Sequence, residues 1–328
     1  MPVEIENGFK MNDMLKISVV IPVFNDWECL VLLLKQIDQE MKDYAAISVF
    51  VVNDGSTIAP DEDDFIGMQN LYFIHLTRNL GHQKAIAVGL CHVAENVDCD
   101  AVMVMDADGE DRPADLLQLV QVFQKEKKIV FAKRQKRNES IMFKIFYQLY
   151  KVSFYLLTGV RISFGNYCIL PINTLKQLVH VSEIWNHFSG GVIRSKLPYT
   201  SIPLDRGSRL VGSSKMNLVS LIIHGVSSFT VHLDTVAVRL LLLLGGMILA
   251  SIIGAVYVTA VKYFTAQAIP GWATYTVLGL IIIILQAFFA LLNLTFSILF
   301  ARTQRLLIPA LHYKDYVEAV ITSHNNDQ

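Results

Sequence analysis

Apolar runs of strand length alternate with helix-period segments along the amino-terminal part of the chain. "ISVVIPV" (17–23) precedes "WECLVLLLKQIDQEM", and "ISVFVV" (47–52) follows it. "LYFIHL" (71–76) leads into "HQKAIAVGLCHVAEN", "AVMVM" (101–105) into "PADLLQLVQVFQKEK", and "IVFA" (129–132) closes the series. Continuous Val/Ile-rich strands separated by helices predict an α/β fold, Rossmann-like, with a mostly parallel sheet covered on both faces. Ligands of such sheets sit outside the carboxyl ends of the strands, which makes the polar residues there the ones that matter.

The pattern then changes. From Leu240 to Val261 no charged residue occurs, and after Lys262 none returns until Arg302. Twenty-two uncharged residues at about 1.5 Å each reach roughly 33 Å, enough for a bilayer core. "IPGW" breaks the interval, and "ATYTVLGLIIIILQAFFALLNLTFSILF" forms a second span. Two carboxy-terminal transmembrane helices joined by a hairpin are expected over 236–301. Arg239 before the first span and Arg302 and Arg305 after the second place both termini in the cytoplasm by the positive-inside rule. Gln286 and Asn293 stand seven apart and share one face of the second span, which is expected to meet the first span or a second protomer.

"SIMFKIFYQLYKVSFYLLTG" (140–159) and "NLVSLIIHGVSSF" (217–229) mix aromatic and aliphatic residues with few charges and suit helices lying at headgroup level. The expected organisation is a cytoplasmic catalytic domain over 1–215 with its juxtamembrane helix at about 140–159, an interfacial amphipathic helix over 216–235, the hairpin, and a cytoplasmic tail over 302–328. The first 16 residues hold no apolar signal segment, so the amino-terminal part is expected to stay in the cytoplasm. No targeting segment is seen, and a bacterial inner membrane is the expected location.

Composition narrows the function. Apolar residues make up 53% of the 328 positions, while 28 Lys+Arg against 29 Asp+Glu leave a net charge of −1. A balance so near zero argues neither for nucleic acid nor for an acidic substrate, and no nucleic-acid partner is expected. Cys29, Cys91, Cys99 and Cys168 have no C-x-x-C spacing and read as small apolar core residues. No G-x-G-x-x-G follows a strand, so a dinucleotide has no fingerprint.

Each strand exit is decorated instead. Phe24, Asn25 and Asp26 follow the first, "NDGST" with Asp54 the second, "TRNLGH" with Arg78 the third, and "DADGED" the fourth. In that last run Asp106, Asp108, Glu110 and Asp111 gather at the mouth of a buried strand, where like charges repel unless something positive lies among them. Asp106 and Asp108, two apart, share a side of an extended chain. A hard divalent cation held by one or two carboxylates completes its shell with phosphate oxygens, so Mg2+ or Mn2+ on a nucleotide diphosphate is expected.

"VVIPVFND", "VVNDGST", "RNLGHQKAIAVGL" and "VMVMDADGEDRP", followed by "RLVGSSK" and two spans, resemble the polyprenyl-phosphate glycosyltransferases of glycosyltransferase family 2, the group of dolichol-phosphate mannosyltransferase. The resemblance covers nearly the whole chain. It implies a GT-A fold, an inverting mechanism, a UDP- or GDP-linked sugar donor and an undecaprenyl or dolichyl phosphate acceptor. By resemblance Pro22, Asp26, Asp54, Arg78 and Asp106 bind the nucleotide sugar, with Asp54 accepting from the base. Asp106 and Asp108 are the metal pair. Asp106, Asp108, Asp111, Arg209 and Lys215 make the catalytic set, and Arg134, Arg137, Arg206, Arg209, Ser214 and Lys215 face the acceptor phosphate.

One position departs from the family. Asn166, in "GNYC", stands where many relatives carry an aspartate proposed as base. A hydroxyl acceptor needs a base. A phosphate with a second pKa near 6 is already mostly dianionic at neutral pH. Asn166 therefore favours a lipid phosphate over a hydroxyl, with Asp111 or Glu110 left as alternative bases. Transfer to another lipid or saccharide, and a non-catalytic membrane scaffold, are the competing readings. The sugar and the base stay open.

Overall fold

The computed structural model describes residues 14–134, 141–160, 165–212, 225, 227–265, 271–303 and 307–323. By contacts the chain forms two units, Met1–Lys144 with Ile162–Val231 and Leu307–Gln328, and Ile145–Arg161 with His232–Leu306.

The first unit is built on an eight-stranded sheet. Its elements are β1 (Leu15–Val23), α1 (Trp27–Met41), β2 (Ala45–Asn53), β3 (Leu71–Leu76), α2 (His82–Asn96), β4 (Ala101–Val104), α3 (Leu116–Glu126) and β5 (Ile129–Arg134). After α4 (Ile141–Thr158) come β6 (Cys168–Pro171), α5 (Ile172–Leu178), α6 (Phe188–Ser195) and β7 (Tyr199–Leu204). The strand order is β7-β5-β6-β4-β1-β2-β3-β8, with β8 the last strand of the chain. β1 pairs in parallel with β2 and β4, β2 with β3, and β5 with β7, while β6 runs antiparallel between β4 and β5.

Alternation along β1 separates two cores. Ile17, Val19, Ile21 and Val23 pack with α1 and α3 on one face, while Val20, with Phe50 and Val52 of β2, packs with α2, α5 and α6 on the other. Period-two strands between two helical layers give three layers and leave the strand exits of β1 to β4 along one edge.

The chain end, expected as a tail over 302–328, carries the last strand of the sheet. After α7 and α8, described below, α9 (Pro309–His312) and β8 (Val317–Thr322) rejoin the first unit, and β8 pairs antiparallel with β3. The run "VEAVIT" is rich in β-branched residues, and it covers the exposed edge of β3, which would otherwise offer unpaired backbone groups. Tyr313 fixes the approach: its hydroxyl donates to Glu95 Oε2 at 2.6 Å and accepts from Asn96 Nδ2 at 3.2 Å. Burial and that carboxylate push its pKa up to about 12.

The second unit holds α7 (Leu233–Phe264) and α8 (Trp272–Thr303), 32 residues each, among the described residues the two helices long and apolar enough to cross a membrane. Most of their buried residues are small: Ala237 and Ser251 of α7, beside Val258, and Ala273 and Ala287 of α8. A Cβ at Gly254 would lie 3.4 Å from Leu280. Close backbone approach through small side chains is how helices associate where hydrocarbon removes the hydrophobic drive. The carboxyl end of α4 belongs here too, so the juxtamembrane helix groups with the hairpin and not with the catalytic domain as expected. Of the expected interfacial helix over 216–235, residues 216–224 and 226 lie outside the described residues, and its last three positions are already the start of α7.

Candidate active site

The exits of β1, β2, β3 and β4 converge through side chains that tie one loop to the next. Asn25, at a positive φ of 53° that Asn tolerates better than most residues, accepts the N–H groups of Thr57 and Ile58 at 2.9 and 3.0 Å. Asp54 is 3% exposed, and its two oxygens accept the N–H groups of Leu80 and Gly81 at 2.7 and 2.9 Å. Burial raises the Asp54 pKa, and those two bonds hold against it. Its carboxylate thus ties the β2 exit to the β3 exit loop. Pro22 is buried within β1, beyond Val20, the last residue paired with β4, so its missing N–H costs that ladder nothing.

Asp26 breaks a local rule. It is the N-cap of α1, where an aspartate ordinarily accepts a backbone N–H of the first turn, at about 1 kcal/mol when lost. Its side chain makes no such cap. Both oxygens instead accept Arg209 Nη2, at 2.7 and 2.5 Å. Arg209 Nη1 lies 3.7 Å from Asp108 Oδ2, so one guanidinium, 15% exposed, spans the exits of β1 and β4. A cap diverted to a cation across the sheet edge is the kind of local inconsistency expected at functional positions.

The segment 205–211 lies along the acidic turn like a strap. Gly207 N–H donates to Glu110 O at 2.9 Å, Leu210 N–H to Asp108 O at 3.1 Å, and the Arg206 guanidinium pairs with the Glu110 carboxylate. Gly109, at φ +79°, makes the approach possible, since a Cβ there would come within 2.4 Å of Leu210 Cγ. Asp111, 3% exposed, accepts the N–H of Asp106 at 3.0 Å and braces the turn from within.

His82, the first residue of α2, was not singled out by sequence reasoning. Its Nε2 lies 3.1 Å from Asp106 Oδ1 and 3.3 Å from Asn166 Nδ2. Partial burial opposes charge on the ring, but Asp106, Asp111 and Asp108 together outweigh it and raise its pKa. The available signal was its place, in a strand-exit cluster and at a helix start whose crossover ends at the acidic strand. Arg78 is exposed and donates weakly to Asn79 O at 3.4 Å, apart from the carboxylate cluster. Arg134 ends β5 opposite Leu204, and Arg137, Ser214 and Lys215 lie outside the described residues.

Asp106 and Asp108, the pair expected from the sequence to hold a divalent cation, both lie in this turn. Among the described residues no three His, Cys, Asp or Glu side chains gather as a complete metal cage. Two carboxylates and an open remainder fit an ion that takes its other ligands from phosphate and water.

The glycosyl transferase family 2 pattern matches residues 18–180. An uncharacterized glycosyltransferase of Bacillus subtilis is 26% identical over 289 residues, covering 83% of this chain and 85% of the relative. An undecaprenyl-phosphate 4-deoxy-4-formamido-L-arabinose transferase of Erwinia tasmaniensis is 28% identical over 256 residues, covering 71% and 72%. Among solved structures, glucosyl-3-phosphoglycerate synthase of Mycobacterium tuberculosis with Mn2+, UDP-glucose and phosphoglyceric acid superposes at a TM-score of 0.50 and 15% identity, over 68% of this chain and 80% of that one. That likeness shows the GT-A fold. The protein is a glycosyltransferase whose residues 18–180 form a family 2 domain.

Proposed function

We propose that the protein transfers a sugar from a nucleoside diphosphate donor to the phosphate of a polyprenyl phosphate at the cytoplasmic face of a membrane, with inversion at the anomeric carbon. The observation that carries the reading is the strap with Arg206 and Arg209 laid over the Asp106–Asp108 turn, in a chain that continues into two bilayer-length apolar helices. An undecaprenyl-phosphate sugar transferase among the relatives supports the acceptor class.

Asp106 and Asp108 are the residues to hold Mg2+ or Mn2+, which when bound neutralises charge on the departing diphosphate. The chain's own groups do the rest. Arg209 supplies charge-assisted donors beside the same turn. The turn is held rigid by Asp111 and by the strap, so its carboxylates are presented without reorganisation. An oxygen of the acceptor phosphate forms a bond to the anomeric carbon as the bond from that carbon to the diphosphate oxygen breaks, and the nucleoside diphosphate leaves. The acceptor arrives ionised and gives up no proton. Asn166, whose amide lies beside His82, is compatible with that chemistry and supplies no base.

The test is release of nucleoside diphosphate from a panel of UDP- and GDP-sugars, with and without undecaprenyl phosphate and divalent metal. Release is expected to need both. Release indifferent to the lipid or to chelation would sink the proposal.

A further inference from the structure

Gln286 and Asn293 carry two amides into the apolar length of α8, Gln286 near its middle and Asn293 about 10 Å further along at 1.5 Å per residue. Both side chains are exposed in the structure. The face of α8 that meets α7 is a different one: Ala273 and Ala287 are buried there, and Leu280 approaches Gly254. These stand at heptad spacing, and the Gln286–Asn293 row lies one residue earlier, about 100° around the helix. The option that the amides face the first span is therefore gone. Gly279 belongs to the same row, seven before Gln286, and a Cβ there would meet nothing within 4 Å. Ala290 and Ser297, four after each amide, are also exposed, so small and polar residues run in a row along this face, flanked by the exposed Ile282, Phe289 and Phe300.

In a bilayer, lipid tails offer an amide neither donor nor acceptor. We infer that this row is a self-association surface and that its occupant is α8 of a second copy of this chain. Two copies inserted with the same topology and related by a two-fold axis along the membrane normal place α8 parallel to itself, so that Gln286 faces Gln286 and Asn293 faces Asn293. An amide carries both a donor and an acceptor, so a like pair satisfies itself, which an aliphatic partner helix does not do. Gly279, Ala290 and Ser297 let the two backbones approach. The inference rests on the membrane-spanning reading of α7 and α8 proposed above.

The experiment uses the full chain in proteoliposomes at high lipid-to-protein ratio. Alkaline carbonate extraction first reports integration. Single variants Gln286→Cys, Asn293→Cys and Phe288→Cys, the last exposed but about 200° around α8 from Gln286, are then oxidised with copper phenanthroline. Strong dimer bands at 286 and 293 and little at 288 are expected. Loss of at least about tenfold in dimer fraction is expected for Gln286→Leu combined with Asn293→Leu, a change that hydrocarbon tolerates. An integrated chain whose 286 and 293 variants crosslink no better than the 288 variant, or whose double-leucine variant dimerises like the wild type, would overturn the inference alone. Carbonate release of the wild-type chain would overturn the membrane reading and the inference with it.

Discussion

Arg209 and Asp26 lie 183 positions apart in the chain and meet at 2.7 Å, tying the strap over the acidic turn to the last residue of the β1 exit. The contact takes the place of the helix cap that Asp26 would otherwise provide. Arg209→Ala should slow sugar transfer by about 10- to 150-fold, the equivalent of a charge-assisted bond of about 1.5 to 3 kcal/mol. Asp26→Asn should couple to it: in a double-mutant cycle the two losses should fall short of adding by about 0.5 kcal/mol or more. Strict additivity would mean that the contact has no part in the reaction.

Asp108→Asn should lower transfer by more than about 100-fold, or about 2.7 kcal/mol, because a neutral amide is a poor ligand for a hard cation. The amide oxygen still accepts the Glu110 N–H that Asp108 Oδ1 accepts at 3.0 Å, so thermal unfolding should change little. Near-normal turnover with added magnesium or manganese would contradict the metal assignment.

His82 provides a pH test. Its pKa is raised in the folded chain by Asp106, Asp111 and Asp108 against the opposing effect of burial. The resulting stability is present in full below the unfolded value of about 6.5 and is lost as pH rises through the higher folded value. The Tm gap between wild type and His82→Gln should thus be wider at about pH 5.5 than at about pH 8.5. An equal gap at both would remove the ion pair from the account.

At Gly159 the backbone has φ +77°, and a Cβ would come within 2.7 Å of Arg239 Nη2. Arg239 donates from Nη1 to Leu156 O at 2.5 Å and Tyr155 O at 3.3 Å, closing the carboxyl end of α4. Gly159→Ala should destabilise the second unit by about 1 to 3 kcal/mol, as expected for a side chain forced into a left-handed conformation. Thermal unfolding in detergent reads this directly, and an unchanged Tm would show that the cap is dispensable.

Much of the sheet was legible because β1 to β5 are uninterrupted apolar runs, and α1, α2 and α3 carry their own period between them. β6, β7 and β8 were not, since "CILP" and "YTSIPL" contain Pro and "VEAVIT" is a short run that comes after two long apolar helices belonging to another unit. The acidic turn announced itself by charge density. Its partners did not: Glu110 with Arg206, and Asp26 with Arg209, are brought together only when β7 delivers the strap to the exits of β1 and β4. His82 was hidden for the same reason, its meaning depending on Asn166, 84 positions away.

The acceptor is the centre of the account, and a direct comparison decides it. Transfer from the accepted nucleotide sugar should be measured against undecaprenyl phosphate and undecaprenol across pH, for wild type and for Asn166→Asp. The phosphate alone should be glycosylated, with a rate that rises through about pH 6 to 7 as its second proton leaves and that Asn166→Asp does not appreciably increase. Glycosylation of the alcohol, with a large gain from Asn166→Asp, would contradict it.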